Sequence, residues 1–275
     1  MLCGILLLYM IADFHNDVLT TEFEHTKKIA KELTCSVCAL FRGGRNFEKL
    51  REIARRFTGA RPENLFLGLE DIGYINDVTG KEILEWGPIY ASLTWNGENE
   101  LAGGCFCDGG LTVSGKRAVA FLSEHRIAID CAHLNGKSFR EMLNLEPYAV
   151  IDSHTCLSGV YGHPRNLEDW QVREIISRGG LIGIAFVGKF LGEGTVSEQD
   201  IFRHIDYGVQ KFGIDYFCFG SDFFGTSDLP IGIHGYSDIP NLKKLFEKAG
   251  YGATDIEKIF ALNLKNFLAK KKEPM

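Results

Sequence analysis

Short apolar runs alternate with charge-rich amphipathic stretches along the chain. The runs cover 8–14, 35–41, 65–69, 89–93, 127–130, 149–151, 181–186 and 216–219. Most are continuous rather than alternating, the pattern of strands covered on both faces, as in a parallel sheet. Between them, apolar residues recur at helical spacing. Phe47, Leu50, Ile53, Ala54 and Phe57 fall on one face of a predicted helix over 46–57. The same spacing predicts helices over 111–123, 138–144, 168–177, 197–212, 239–249 and 254–268. Eight strands interleaved with seven or eight helices in 275 residues predict an α/β fold, a (β/α)8 TIM barrel made by one domain over 1–275. Residues 1–9 read as an N-terminal extension and 269–275 as a solvated, Lys-rich tail.

Composition narrows the functional classes. The 20 Phe, 9 Tyr and 3 Trp supply ample surface for a core, which argues against disorder. A formal charge of −6 disfavours a nucleic-acid partner held by phosphate neutralisation. No apolar run approaches the roughly 20 residues that cross a bilayer, and the first ten residues lack the basic region and cleavage site of a signal peptide. Eight cysteines without an export signal read as free thiols of a cytoplasmic protein. Cys35 and Cys38 form a CxxC within a predicted strand, where positions three apart face opposite ways and cannot share a metal. Cys105 and Cys107 lack a third thiolate or imidazole nearby in sequence.

Polar residues gather just after the strands. They are His15-Asn16-Asp17, Glu70-Asp71, Thr94-Trp95-Asn96, Asp130 with His133, Asp152-Ser153-His154, and Ser221-Asp222. In a barrel these ends converge on one mouth, where active sites form. Three imidazoles and up to three carboxylates then aim at one point. That donor set suits Zn2+ first, with Mn2+ or Fe2+ as alternatives. Five ligands exceed one open tetrahedral site, so two ions sharing a carboxylate fit better. His25, His125, His204 and His234 lie in helical or loop contexts and read as solvated. The stretch from Gly183 to Lys189 imitates a phosphate-binding loop, but Phe190 stands where a hydroxyl is needed and the segment is an apolar strand. Neither a GxGxxG after the first strand nor a GxSxG elbow is present.

Several stretches carry a further signal: Asp13-Phe-His-Asn-Asp17, Leu67-Gly-Leu-Glu70, Ile129-Asp-Cys-Ala-His133, Asp152-Ser-His154, His163-Pro-Arg-Asn166, Arg178-Gly-Gly-Leu-Ile-Gly183 and Gly220-Ser-Asp-Phe223. In this order the chain resembles the membrane (renal) dipeptidases, the M19 metallopeptidases of the metal-dependent amidohydrolase superfamily. The resemblance implies a metal-dependent hydrolase in which His15, Asp17 and Glu70 hold one zinc and Glu70 bridges to a second held by His133 and His154. It further implies Asp222 as proton shuttle and Arg165 as the cation for a substrate carboxylate, for which a two-pronged guanidinium is suited. Family members carry a His after strand four in a Thr-His-Asn context. Here Thr94-Trp95-Asn96 occupies it, so Trp95 and Asn96 become substrate-contact candidates.

The expected reaction is hydrolysis of a small dipeptide, with tolerance of a C-terminal D-residue. The alternatives are a non-peptidase amidohydrolase acting on a lactone, cyclic amide or N-acyl amino acid, and an inactive metal-binding homologue. The expected partner is a small-molecule substrate, with no nucleic acid and no membrane span. The reading leaves room for a homodimer.

Overall fold

The computed structural model describes residues 10–272. Eight parallel strands close a barrel in sequence order: β1 (Ala12–Asn16), β2 (Cys35–Phe41), β3 (Leu65–Glu70), β4 (Pro88–Ser92), β5 (Ala128–Asp130), β6 (Val150–Thr155), β7 (Ile182–Ile184) and β8 (Phe217–Phe219). Asp13 beside Phe219 makes the closing pair. The connections carry α1 (Thr26–Glu32), α2 (Phe47–Ala60), α3 (Asp77–Trp86), α4 (Val113–Glu124), α5 (Gly136–Leu143), α6 (Asp169–Ser177), α7 (Gly188–Leu191) and α8 (Glu198–Phe212). After β8 come α9 (Ile239–Lys248), α10 (Ala253–Glu257) and α11 (Asn263–Lys272).

Two apolar clusters explain why the sheet closes. Inside the barrel, Ala12 and Phe14, Cys35 and Val37, Phe66, Tyr90, Ala128, Ile151, Leu181 and Cys218 pack together, with Ala261, Leu264 and Leu268 against them. Each strand or its first approach thus contributes, and the α11 region plugs the strands' N-terminal end. The larger cluster joins outward strand residues such as Cys38, Leu40 and Leu69 to the helices. The CxxC cysteines fall in different clusters, as strand spacing requires. None of the seven cysteines of the described residues forms a disulfide.

Tyr90 is the largest plug of the interior. A Cβ on Gly68 would lie 2.4 Å from its ring, so only glycine lets the ring lie across the barrel. The Tyr90 hydroxyl donates to the Phe14 carbonyl at 3.2 Å and thereby floors the barrel mouth.

The polar strand ends shift two element boundaries. The first strand continues through His15 and Asn16, and the sixth through Thr155, so their chemistry-bearing residues are strand positions. An apolar run understates such strands because their last residues face a polar mouth. The expected first two residues of strand one, and the extension over 1–9, lie outside the described residues. Helices α1, α3 and α7 were not expected. In α3 only Gly80, Ile83 and Trp86 are buried, and the helix is set by its cap. Asn76 Oδ1 accepts from the Val78 and Thr79 amides, and Thr79 Oγ1 accepts from Asn76 N–H. The last helix is widened by a π turn over Lys258–Leu262 and continues to Lys272, through part of the expected tail. No helix of the described residues is long and apolar enough to cross a membrane.

His204 corrects a reading. His25, His125 and His234 are exposed as expected, but His204 is fully buried on α8. It accepts from Leu157 N–H at 3.0 Å through Nδ1, and its Nε2 lies 3.1 Å from the Leu191 carbonyl, tying α7 and the loop after β6 to α8. Burial pushes its pKa down to about 4. The folded state therefore prefers the neutral ring. Its contribution is complete above the unfolded pKa near 6.5 and is lost as pH falls toward 4. We expect His204→Gln to remove about 2 kcal/mol of the stability lost between neutrality and about pH 5. Denaturant melts of both proteins across that range check this; parallel curves would contradict it.

Candidate metal centre

The chain past β8 is laced onto the end of β1. Asp222 N–H donates to the His15 carbonyl at 3.1 Å, and Asp17 N–H to the Phe223 carbonyl at 2.9 Å. This sets Asp222 beside His15 and Asp17. Asp222 takes φ 62° and Phe224 φ 68°, turning the chain tightly over the carboxylates. A Cβ on Gly225 would come within 2.2 Å of an Asp17 oxygen and 2.5 Å of an Asp222 oxygen, so glycine is required where the backbone presses on the pair. His133, three residues past β5, also sits in the left-handed region at φ 72°.

All five expected ligands converge. His15 Nε2 lies 3.5 Å from Asp17 Oδ2, 3.5 Å from Glu70 Oε2 and 3.9 Å from Asp222 Oδ1. His133 Nε2 lies 2.8 Å from Glu70 Oε1 and 2.9 Å from His154 Nε2. The two oxygens of Glu70 thus face two different imidazoles. Ligand-competent groups form as His15–Asp17–Asp222 and as Glu70–His133–His154.

Each imidazole is held from behind. His133 Nδ1 lies 2.8 Å from Asn96 Oδ1, His15 Nδ1 3.0 Å from Tyr90 Oη and 3.2 Å from Ser153 Oγ, and His154 Nδ1 2.8 Å from Ser153 Oγ. Every Nε2 therefore points into the same space.

The electrostatics are those of a centre built around positive charge. Burial opposes charge on His15, but the nearby carboxylates of Asp17, Glu70 and Asp222 outweigh it and raise its pKa to about 10. Burial and the Asp17 charge push Asp222 up to about 7 and Glu70 well above the carboxylate range. Burial, helped by Arg165, holds His133 well below 6.5; burial with His15 and Arg165 does the same for His154. Two features fit divalent cations. His15 Nε2 and Asp17 Oδ1 are buried with no hydrogen-bond partner, and the His133 and His154 Nε2 atoms face each other at contact distance. A cation would satisfy both features, and hard oxygen with imidazole nitrogen donors is the matching ligand chemistry.

The remaining sequence candidates are placed differently from one another. Trp95 is 46% exposed and walls a cavity of about 260 Å³ above the centre. It packs 5.6 Å from Phe41 and 6.0 Å from the His133 ring, centroid to centroid. Asn96 lines the cavity too, but its Oδ1 is committed to His133. Arg165 is buried beside the histidines. Its Nη2 donates to the His154 carbonyl at 3.0 Å and lies 3.4 Å from His133 Nε2, and its Nε–H has no partner. Sequence reasoning missed Tyr90 and Ser153 as supports, Lys189 on the cavity wall, and the Phe190 ring against which both Lys189 and Arg165 lie.

Comparison with known proteins places this geometry. The chain matches the family model for membrane dipeptidase, peptidase family M19, over residues 66–272. A relative from Klebsiella pneumoniae, named an uncharacterized protein in the pqqA 5' region, is 30% identical over 159 residues, which cover 56% of this chain and 58% of that relative. The chain thus spans less than two thirds of that relative's length. Two solved structures share the fold. One is a metallo peptidase from Rhodobacter sphaeroides liganded with a phosphinate mimic of the dipeptide L-Ala-D-Ala, with TM-score 0.81 and 19% identity over 96% of this chain and 99% of that one. The other is an amidohydrolase from Pseudomonas aeruginosa, with TM-score 0.83 and 20% identity over 96% of each chain. Because the family match runs from β3 to the end of α11 and takes in Glu70, His133, His154, Arg165 and Asp222, the chain belongs to the M19 membrane dipeptidase family.

Proposed function

We propose that the chain is a metal-dependent dipeptidase that holds two divalent cations, Zn2+ in the simplest case, at the barrel mouth. The observation that carries this reading is the convergence of the His15 and His133 Nε2 atoms on the carboxylates of Asp17 and Glu70, with His154 Nε2 against His133 Nε2. His15 and Asp17 would hold one cation, His133 and His154 the other, with Glu70 offering one oxygen to each. When bound, such a pair polarises the scissile carbonyl and brings a water's pKa to about 7.

The chain's own residues do the rest. Asp222 lines the cavity, and burial beside Asp17 sets its pKa to about 7, so it can take a proton from the attacking water and return it to the leaving amine. Lys189 and Arg165 flank the Phe190 ring and make that end electropositive; it would receive the substrate's carboxylate. Trp95 and Phe41 wall the cavity with apolar surface for a substrate side chain. The ligand of the Rhodobacter sphaeroides enzyme makes a C-terminal D-residue a candidate here. Hydrolysis of a dipeptide panel by zinc-loaded protein, beside lactones and N-acyl amino acids, tests the reading. Turnover of dipeptides supports it, and turnover of lactones or N-acyl amino acids alone overturns it.

Trp95 favours that second, non-peptidase reading. Its indole donates one hydrogen bond and cannot be protonated, so the cavity wall holds no imidazole at this position. If that absence limits amide turnover, Trp95→His should raise dipeptide kcat by up to about 10²-fold. A steady-state comparison of both proteins checks this, and no gain would remove the absence as the limit.

A further inference from the structure

Ser153 sits at a junction that no single ligand explains. On β6 it is fully buried. Its Oγ lies 2.5 Å from Asp130 Oδ2, 2.8 Å from His154 Nδ1 and 3.2 Å from His15 Nδ1. The two imidazole rings lie 3.8 Å apart, centroid to centroid. Asp130 Oδ1 already accepts the N–H groups of Ser153 and Ala132, so its Oδ2 is the acceptor left for the hydroxyl. A serine hydroxyl carries one proton. Once that proton goes to Asp130, the oxygen can only accept from the histidines. Both rings must then carry hydrogen on Nδ1, which leaves Nε2 as the nitrogen each can offer to a cation. The space between His15, Asp130 and His154, where three donors also meet, is filled by this hydroxyl rather than open to an ion.

We infer that Ser153, with its proton committed to Asp130, is a positioning residue that orients one ligand in each of the two metal-binding groups. His15 belongs with Asp17 and Asp222, and His154 with Glu70 and His133. Asn96 is the contrasting case, because the one imidazole its Oδ1 meets is His133, its other donor being the Cys105 thiol. Tyr90 Oη gives His15 a second acceptor at 3.0 Å, so the loss of Ser153 weighs more heavily on the group containing His154. The inference rests on the proposed metal pair.

The test is a zinc titration of metal-stripped protein against a chromophoric chelator, for the parent chain, Ser153→Ala and Asn96→Ala. Supports behind metal-ligating histidines are typically worth 10–100-fold in affinity. Ser153→Ala should weaken both binding steps, one of them by about 10–100-fold, whereas Asn96→Ala should weaken one and spare the other. A Ser153→Ala chain that keeps either step unchanged overturns the shared role. Nitrogen-15 NMR of the metal-free parent needs no variant to fold: His154 should appear as the Nδ1–H tautomer, and the Nε2–H tautomer overturns the inference. A parent chain that binds no zinc sinks the proposed function and this inference together. Tight binding indifferent to Ser153 sinks the inference alone.

Discussion

Asp222→Asn is expected to lower kcat for a dipeptide by about 10²–10⁴-fold, the usual worth of a positioned general acid–base group. Asparagine keeps the shape and one oxygen but cannot take up a proton. Its neighbours show why the position is tuned for that task. Asp222 Oδ1 lies 3.9 Å from His15 Nε2, Gly225 presses the backbone against its carboxylate, and burial with the Asp17 charge sets a pKa of about 7. The substitution should leave metal content unchanged, because His15, Asp17, Glu70, His133 and His154 remain. Kinetics and elemental analysis of one preparation check both halves. Undiminished turnover would remove Asp222 from the chemistry, and lost metal would make it a ligand instead.

Glu70→Gln should act the other way, on metal rather than on proton transfer. Glu70 Oε1 and Oε2 face His133 and His15 respectively, so an amide there leaves one group short of an oxygen. Turnover should fall to background and at least one metal equivalent should be lost. Stability separates this from simple damage. Without metal, burial first and then repulsion among Asp17, Glu70 and Asp222 raise the pKa values of Glu70 and Asp222. Neutralising Glu70 relieves that repulsion, so the metal-free variant should melt no lower than the metal-free parent. Metal adds about 2.7 kcal/mol per site at a hundredfold excess over Kd, and the variant should lose at least one such increment. Thermal melts with and without zinc check this; an undiminished metal-induced shift would remove Glu70 from the centre.

The barrel and the residues that converge at its mouth were legible because they are local signals. Each strand is an apolar run, and each of these residues follows within a few residues of one. The supports were not legible, since they depend on partners far along the chain. Ser153 meets His15 across 138 positions and Tyr90 meets it across 75, a juxtaposition that exists only once the barrel closes. Asn96 sat in the right loop, but whether its amide faced substrate or His133 depended on loop geometry. His204 reads as an exposed helix residue until α7 and the loop after β6 fold over it. Helix α3 escaped because its boundary is written in a cap, Asn76 with Thr79, rather than in apolar periodicity.

Anomalous diffraction from crystals of the zinc-loaded protein tests the central claim most directly. Two peaks roughly 3.5–4 Å apart should appear, one against His15 and Asp17 and one against His133 and His154, with Glu70 between them. A density map with no zinc among these five residues would contradict it.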